Sequence, residues 1–182
     1  MPDAATRLPT KIDLGPVVGR RLRSADLGDL AAMHADPAVM ATLGGPRDRA
    51  TSERYLTDNL AHWERHGFGM YALRERDGGR FVGRAGVRRL RLGDRDEIEL
   101  AYALCAEDWG RGLAVAACRT LLGLAQRAQL ADSLIAITLP SNHRSRRVME
   151  KAGLVFEREV EHVGLPHVLY RRRLAVPAAY RS

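Results

Sequence analysis

The segment from residue 97 to residue 139 restricts the fold more than any other part of this chain. Its hydrophobic pattern predicts a strand over residues 97–105, a glycine-containing loop, a helix over residues 112–128 and a buried strand over residues 134–139. A strand, a crossover helix and a second strand in this order form a parallel pair within one sheet. The segment therefore predicts a sheet in which a parallel strand pair flanks a crossover helix.

The remaining segments switch between helical spacing and the two-residue period of strands. Further strands are predicted over residues 17–22, 70–75, 81–90, 154–162 and 167–175. Further helices are predicted from Leu27 to a stop at Pro37, over residues 51–66 and over residues 142–152. This order predicts an α+β fold, an α/β sandwich whose mixed, mostly antiparallel sheet has about six to seven strands and about four flanking helices.

The chain length is that of one domain with short extensions. The 182 residues suffice for one hydrophobic core. Prolines near the start disfavour a helix there, so we predict an N-terminal arm over residues 1–15, a single domain over residues 16–176 and a C-terminal tail over residues 177–182. No apolar run approaches the ~20 residues of a membrane span, and the N-terminus lacks the apolar stretch of a secretory signal. We therefore expect a cytoplasmic protein with no membrane partner.

The composition is basic, with a formal net charge of +7 and a pI near 10.1. Lys11 and Lys151 are the lysines, so the other basic residues are arginines, and they are spread along the chain. An aromatic content of 5% leaves few stacking partners for bases, which disfavours nucleic acid as a partner. The charge suits acidic substrates or partners instead. Cys105 and Cys118 are too few for a disulfide framework or a cysteine zinc site.

The loop between the first strand and the crossover helix has the features of an anion-binding site. The first N–H groups of a helix lack internal partners, and the helix dipole adds a positive end. Gly110 and Gly112 leave the backbone open to a ligand, and Arg111 adds a donor for a phosphate. The loop lacks the Gly-Lys-Ser/Thr of a triphosphate-binding loop, and Val115 stands where a dinucleotide motif needs its third glycine. Taken alone, the two glycines also fit an ordinary turn.

Two motifs in this part of the chain resemble those of a known enzyme superfamily. Residues 109–114, Trp-Gly-Arg-Gly-Leu-Ala, are similar to the Gln/Arg-x-x-Gly-x-Gly/Ala pyrophosphate loop of the GNAT N-acetyltransferases. Residues 142–154 are similar to the Asn-x-x-Ser-x-x-Val-x-x-Lys-x-Gly-Phe motif of the RimJ/RimL-type branch, the ribosomal-protein N-terminal acetyltransferases, with Leu154 in place of Phe. Ala116 departs from the glutamate that is usual in this branch. The resemblance covers residues 17–175 and implies the GNAT fold and an acetyltransferase that uses acetyl-coenzyme A as co-substrate.

The resemblance also implies how the chain holds acetyl-coenzyme A. The strand before the loop splays from its neighbour, and the backbone of Ala103 and Leu104 pairs with the pantetheine arm and offers an N–H to the thioester carbonyl. Asn142 and Ser145 line the other side of the cofactor. The residues implied for the pyrophosphate are Trp109, Gly110, Arg111, Gly112, Leu113 and Ala114, and those for the outer phosphates are Arg144, Arg146 or Arg147, a choice that the sequence leaves open.

The implied reaction is direct transfer of the acetyl group to a primary amine in a ternary complex. Glu99 stands where relatives carry a glutamate base that removes the proton of the amine; its alternative roles are a solvated strand glutamate or the partner of an arginine. Many members protonate the departing thiolate with a tyrosine at the position of Met149, and methionine cannot donate. Ser145 is therefore the candidate acid, with a plain cofactor hydrogen bond or a helix-surface serine as its alternatives.

The sequence leaves the amine acceptor open among a protein N-terminus or other peptide amine, a polyamine, an amino sugar and a small metabolite. The alternative function is a catalytically weak binding module of the acyl-coenzyme A fold, associated with nucleic acid or the ribosome. The Met149 departure and the net charge of +7 motivate that alternative. A homodimer is compatible with either function.

Two other groups of residues invite a chemical interpretation. His62 and His66 are spaced one helical turn apart, as a metal-binding pair would be, but no third ligand accompanies them and we predict no metal site. Cys105 lies beside the implied thioester position, as an acyl-cysteine nucleophile would. The role of a small buried hydrophobic residue fits this lone cysteine better.

Overall fold

The computed structural model describes residues 7–174. Its strands are β1 (Lys11–Asp13), β2 (Val17–Arg21), β3 (Met70–Glu75), β4 (Phe81–Leu92), β5 (Arg95–Leu104), β6 (Ser133–Thr138), β7 (Val155–His162) and β8 (Leu165–Arg173). Its α-helices are α1 (Leu27–Ala35), α2 (Pro37–Met40), α3 (Arg49–His66), α4 (Leu113–Arg127) and α5 (His143–Lys151). The strands form one sheet in the order β1-β2-β3-β4-β5-β6-β8-β7. The fold is a mixed α+β sandwich, as predicted.

The centre of the sheet contains one parallel contact among antiparallel neighbours. Strands β4 and β5 pair antiparallel along their whole length, from Gly83 opposite Leu104 to Leu92 opposite Arg95. Helix α4 then crosses over, and β6 runs parallel to β5, as the strand–helix–strand pattern predicts. Within the described residues, β5 and β6 pair in register at a single position, Glu99 opposite Ile135. The end of β5 therefore diverges from β6 and leaves a gap in the sheet.

The helices cover the sheet as two separate apolar layers. Helices α4 and α5 pack on one face, where Leu121 of α4 is fully buried with Leu100 and Leu134 of the sheet. Helices α1 to α3 pack on the other face, where Leu56 of α3 joins a cluster with Ala103 of β5. Because successive side chains of a strand point to opposite faces, β5 presents alternate residues to the two layers.

Helix α3 shows how local sequence sets the ends of these elements. The Asp48 side chain accepts a hydrogen bond from the Thr51 N–H at 2.7 Å and caps the first turn. Gly67 ends the helix with a left-handed φ of 74°. The structure starts α3 at Arg49 instead of Thr51, because the cap lies two residues before the first apolar position.

The structure contains one strand more than the upper expectation and one helix more than expected. The extra strand, β1, lies inside the predicted arm, where Leu8, Ile12 and Leu14 are buried against the sheet. Three residues are too few to show a strand period in sequence. The extra helix, α2, begins at Pro37, a residue that ends α1 and also suits the first position of a new helix. The predicted tail over residues 177–182 and the predicted end of β8 at Ala175 lie outside the described residues.

No helix within residues 7–174 combines the length and the apolar character that a membrane crossing requires.

Candidate active site

A cleft of about 840 Å³ opens where β5 leaves β6. Its walls are the last residues of β5, the loop that leads into α4, and the first turns of α4 and α5. The predicted site residues that line it are Glu99, Ala103, Leu104, Trp109, Gly110, Gly112, Leu113, Ala114, Asn142 and Ser145. The structure thus brings into one cavity residues that come from three separate parts of the sequence.

The N-terminus of α4 presents bare backbone to this cleft. Gly110 and Gly112 have left-handed φ angles of 80° and 76°, and a Cβ placed on either would meet no atom within 4 Å. The first hydrogen bond of the helix runs from the Ala116 N–H to the Gly112 carbonyl. The three N–H groups before it, at residues 113–115, have no acceptor among the described residues. This geometry suits an anion such as a diphosphate.

The base of the loop is fixed by a buried carboxylate. Asp108 is fully buried and accepts two hydrogen bonds from Arg80, at 2.7 and 2.9 Å. These bonds hold the pKa of Asp108 below its usual value. Arg111 also binds Asp108, and it donates to Glu75 at 3.1 Å. This corrects the expectation that the Arg111 side chain is a donor for a phosphate. Its guanidinium is held by two carboxylates and turns away from the cleft, so only the backbone of Arg111 can contribute to the loop.

Trp109 connects the loop to both sides of the cleft. Its indole Nε1 donates to the Leu104 carbonyl at 3.0 Å, and the Arg144 guanidinium lies over its ring at 4.8 Å from the centroid. Arg144 and Arg147 line the cleft, whereas Arg146 is occupied with the Tyr170 hydroxyl and the Pro140 carbonyl. Of the three arginines that the sequence left open for the outer phosphates, Arg144 and Arg147 therefore have the position for that role.

The backbone edge of β5 faces the cleft at alternate residues. Cys105 donates its N–H to Val82 of β4 at 3.0 Å, and the register makes residue 103 the next hydrogen-bonded partner of β4. The peptide groups of Leu104 and Tyr102 therefore point away from β4, into the gap. This refines the expectation for Ala103 and Leu104: the Leu104 N–H is the one that a ligand along this edge can reach, whereas the Ala103 N–H is directed to β4.

A hydroxyl pair lies on the α5 side of the gap. The Tyr102 hydroxyl is 2.8 Å from the Ser145 Oγ and donates to the Ser145 carbonyl at 3.1 Å. Burial raises the pKa of Tyr102 well above its usual value, so the phenol keeps its proton. Met149, at the position of the superfamily tyrosine, is buried in the core. Sequence reasoning missed Tyr102, although strand alternation already placed it on the face opposite Glu99.

Asn142 has two structural contacts as well as its place in the cleft wall. Its Oδ1 accepts the Ser145 N–H at 3.1 Å and caps α5. Its Nδ2 donates to the Thr42 Oγ1 at 3.0 Å, which ties α5 to the segment after α2. Asn142 therefore fixes the position of Ser145 on the helix.

Glu99 lies on the opposite side of β5 from the hydroxyl pair. It is 5% exposed, and its Oε2 accepts a hydrogen bond from the Arg88 Nε at 2.6 Å. Its Oε1 accepts no hydrogen bond from residues 7–174, and Glu99 belongs to the cleft lining. Glu99 thus forms the ion pair with an arginine that the sequence left open as an alternative, and its second carboxylate oxygen stays available. The neighbouring Glu97 is held by Arg171 at 2.8 Å.

The remaining chemical candidates have structural partners or lie apart from the cleft. His62 binds the Phe68 carbonyl through Nδ1 at 2.8 Å and accepts the Arg89 N–H through Nε2 at 3.1 Å, so both ring nitrogens are occupied. Burial raises the pKa of the Cys105 thiol to about 11, which makes it a poor nucleophile at neutral pH.

An open strand edge beside a bare helix N-terminus suits an extended ligand with a phosphate group. Comparison with known families identifies the class: the acetyltransferase (GNAT) domain profile matches residues 18–155. The chain therefore belongs to the GNAT acetyltransferase family and is an acyltransferase by class, which confirms the resemblance seen in its motifs.

Individual relatives are distant but similar over most of their length. YkkB of Bacillus subtilis (strain 168), an uncharacterised protein, is 24% identical over 157 residues, which cover 84% of this chain and 91% of YkkB. An acetyltransferase structure from Agrobacterium tumefaciens str. C58 has a TM-score of 0.79 and 23% identity, with 90% of this chain and 94% of that chain covered. RimL, the ribosomal L7/L12 α-N-protein acetyltransferase in complex with coenzyme A, has a TM-score of 0.76 and 15% identity over 90% of this chain and 98% of its own. The RimJ/RimL-type fold is therefore shared.

Proposed function

We propose that this protein transfers the acetyl group of acetyl-coenzyme A to a primary amine by direct attack in a ternary complex. The observation that carries the proposal is the junction of the β5 edge with the N-terminus of α4, where free N–H groups of a strand and of a helix face one cleft. RimL, which shares the fold, was solved with coenzyme A. The cytoplasmic location and a homodimer stay predictions.

The residues of the cleft offer partners to the phosphates and to the pantetheine arm of coenzyme A. The N–H groups of residues 113–115 would bind the diphosphate, and Arg144 and Arg147 would meet the outer phosphates. The free edge of β5 at Leu104 would pair with the amides of the pantetheine arm, as an added strand would. When bound, acetyl-coenzyme A supplies the acetyl group as a thioester.

The two sides of β5 would divide the proton transfers between them. Glu99, which is ion-paired with Arg88, offers its free Oε1 to take the proton of the attacking amine. On the other side, the Ser145 hydroxyl would donate a proton to the departing sulfur and recover one from water that enters the cleft, while Tyr102, which keeps its own proton, holds that hydroxyl in place. The pair thus replaces the donor that Met149 lacks. This assignment deepens the candidate acid role of Ser145 and weakens the motive for a catalytically weak module.

The experiment that tests the proposal is thiol release from acetyl-coenzyme A in the presence of an amine panel: peptides with free N-termini, polyamines, amino sugars and small amino metabolites. Amine-dependent thiol release with matching acetylated product is expected. Saturable binding of coenzyme A with no amine-dependent release would contradict the proposal and favour the binding-module alternative. In that case, retention on nucleic acid that falls steeply with salt would be the supporting observation.

A further inference from the structure

Arg84 is a buried cation that forms no ion pair with a carboxylate of residues 7–174. It lies on β4, is 6% exposed, and lines the cleft on the same side as Glu99. Among residues 7–174 no carboxylate oxygen lies within the 4.0 Å of an ion pair, and the buried Nε has no hydrogen-bond partner. Burial lowers the pKa of Arg84. Because a buried charge is costly unless it is paired, this guanidinium has the environment of a ligand-binding group.

The surroundings of Arg84 restrict its position and leave its Nη groups without a partner in residues 7–174. Its guanidinium lies over the Tyr55 ring, with the central carbon 4.8 Å from the ring centroid. The Tyr55 hydroxyl and the Nε2 of His34, whose ring contacts Tyr55 at 5.0 Å, are also buried without a hydrogen-bond partner in the described chain. Three polar groups that have no hydrogen-bond partner within residues 7–174 therefore lie together on the side of the cleft that carries Glu99. Arg47 lies over the Tyr55 ring at 5.9 Å and does not line the cleft.

The charge count on this side of the cleft favours a monoanion. Arg88 is neutralised by Glu99 through the 2.6 Å ion pair, so Arg84 is left as a cation on the cleft wall near Glu99 that no carboxylate of residues 7–174 contacts as an ion pair. The two Nη groups of Arg84, which donate no hydrogen bond to residues 7–174, match the two oxygens of a carboxylate. A phosphate dianion would bring more negative charge than one guanidinium balances.

We propose that the amine acceptor carries a carboxylate, and that Arg84 binds this carboxylate while Glu99 receives the proton of the amine. The substrate class is then an amino carboxylate, a free amino acid or an amino-acid-like metabolite, instead of a polyamine. The inference rests on the proposed function, since it names the acceptor of the same site. Arg84 acts as a specificity residue that positions the amine at Glu99.

The test compares acceptors that differ only in the carboxylate. The probes are free α- and ω-amino acids, their C-terminal amides and the decarboxylated amines, each assayed by thiol release at saturating acetyl-coenzyme A. With the wild-type protein, the acids should have kcat/KM values at least about tenfold above their amides. Arg84→Met should lower kcat/KM for the acids by about 10- to 100-fold, mainly through KM, and leave the amides unchanged. Arg91→Met, on the same strand and exposed, is the matched control and should change neither.

The outcomes separate the two proposals. Three outcomes would overturn the carboxylate inference and leave the proposed acetyl transfer intact. They are equal use of acids, amides and decarboxylated amines, a preference for phosphorylated amines, and full activity of Arg84→Met on acids. Absence of thiol release with every amine would contradict the proposed function. Calorimetric titration of the acids into the coenzyme A-bound protein then decides the inference: saturable binding that Arg84→Met loses supports it, and no binding overturns it. Coenzyme A binding and thermal unfolding of Arg84→Met show whether the variant is folded.

Discussion

Replacement of Gly112 by glutamate should abolish coenzyme A binding, and the structure supplies the magnitude. Gly112 precedes α4 with a φ of 76°, and a Cβ there meets nothing within 4 Å. A side chain at this position therefore costs only the left-handed backbone strain, about 1 kcal/mol. A glutamate would also place a negative charge beside the helix N-terminus. At a separation of about 5 Å and an effective dielectric constant of about 20, each pair of unit charges repels by about 3 kcal/mol.

The expected loss is therefore at least about 100-fold in the dissociation constant of coenzyme A. Gly112→Gln has the same shape without the charge, so the difference between the two variants isolates the electrostatic effect. Isothermal titration calorimetry at low and high salt measures both affinities, and salt should narrow the difference. Equal affinities of the glutamate and glutamine variants would refute the placement of the diphosphate at this helix end.

Three further substitutions test separate parts of the account. Glu99→Gln should lower kcat about 100-fold, most strongly below the pKa of the amine, with coenzyme A affinity retained; a loss that is equal at every pH would indicate positioning instead of base catalysis. Tyr102→Phe and Ser145→Ala should each lower kcat about tenfold, and the double variant should lose less than the product of the two factors, as expected for one hydrogen-bonded pair; multiplicative losses would show that the two hydroxyls act independently. Burial lowers the pKa of His34 to about 4, below the unfolded value of 6.5. The contribution of neutral His34 to the free energy of unfolding is therefore fully present above pH 6.5, and it falls by about 3 kcal/mol as the pH falls towards 4. Urea unfolding between pH 7 and pH 4 should show a smaller pH dependence for His34→Asn than for wild type, and identical dependences would contradict this assignment.

Much of the fold can be predicted from local sequence patterns. Whereas residues 81–87 of β4 are buried on both faces, the helical spacing after Gly112 reflects one-sided burial, which a sequence displays directly. The same holds for the glycines at the turn into α4, because a left-handed φ selects glycine. These features predicted the parallel pair and the open loop, whereas the divergence of β5 from its neighbour was implied only by the family resemblance.

The parts of the site that sequence did not predict depend on partners distant in the chain. The side chain of Arg111 turns away because Glu75 and Asp108 hold it, and Glu75 comes from another strand. The proposed role of the Tyr102 hydroxyl depends on its contact with Ser145, which lies 43 residues further along the chain. Whether the Arg84 Nε finds a hydrogen-bond partner within residues 7–174 depends on the packing of all the surrounding elements, and no local sequence pattern indicates that it finds none.

The central claim is that the cleft between the β5 edge and the start of α4 holds coenzyme A, and a crystal structure of the complex tests it most directly. We predict diphosphate oxygens within hydrogen-bond distance of the N–H groups of residues 113–115, and a pantetheine arm that runs along β5 at Leu104 with its sulfur near the Ser145 hydroxyl. Coenzyme A bound elsewhere, or a cleft that stays closed to it at saturating concentration, would contradict the claim.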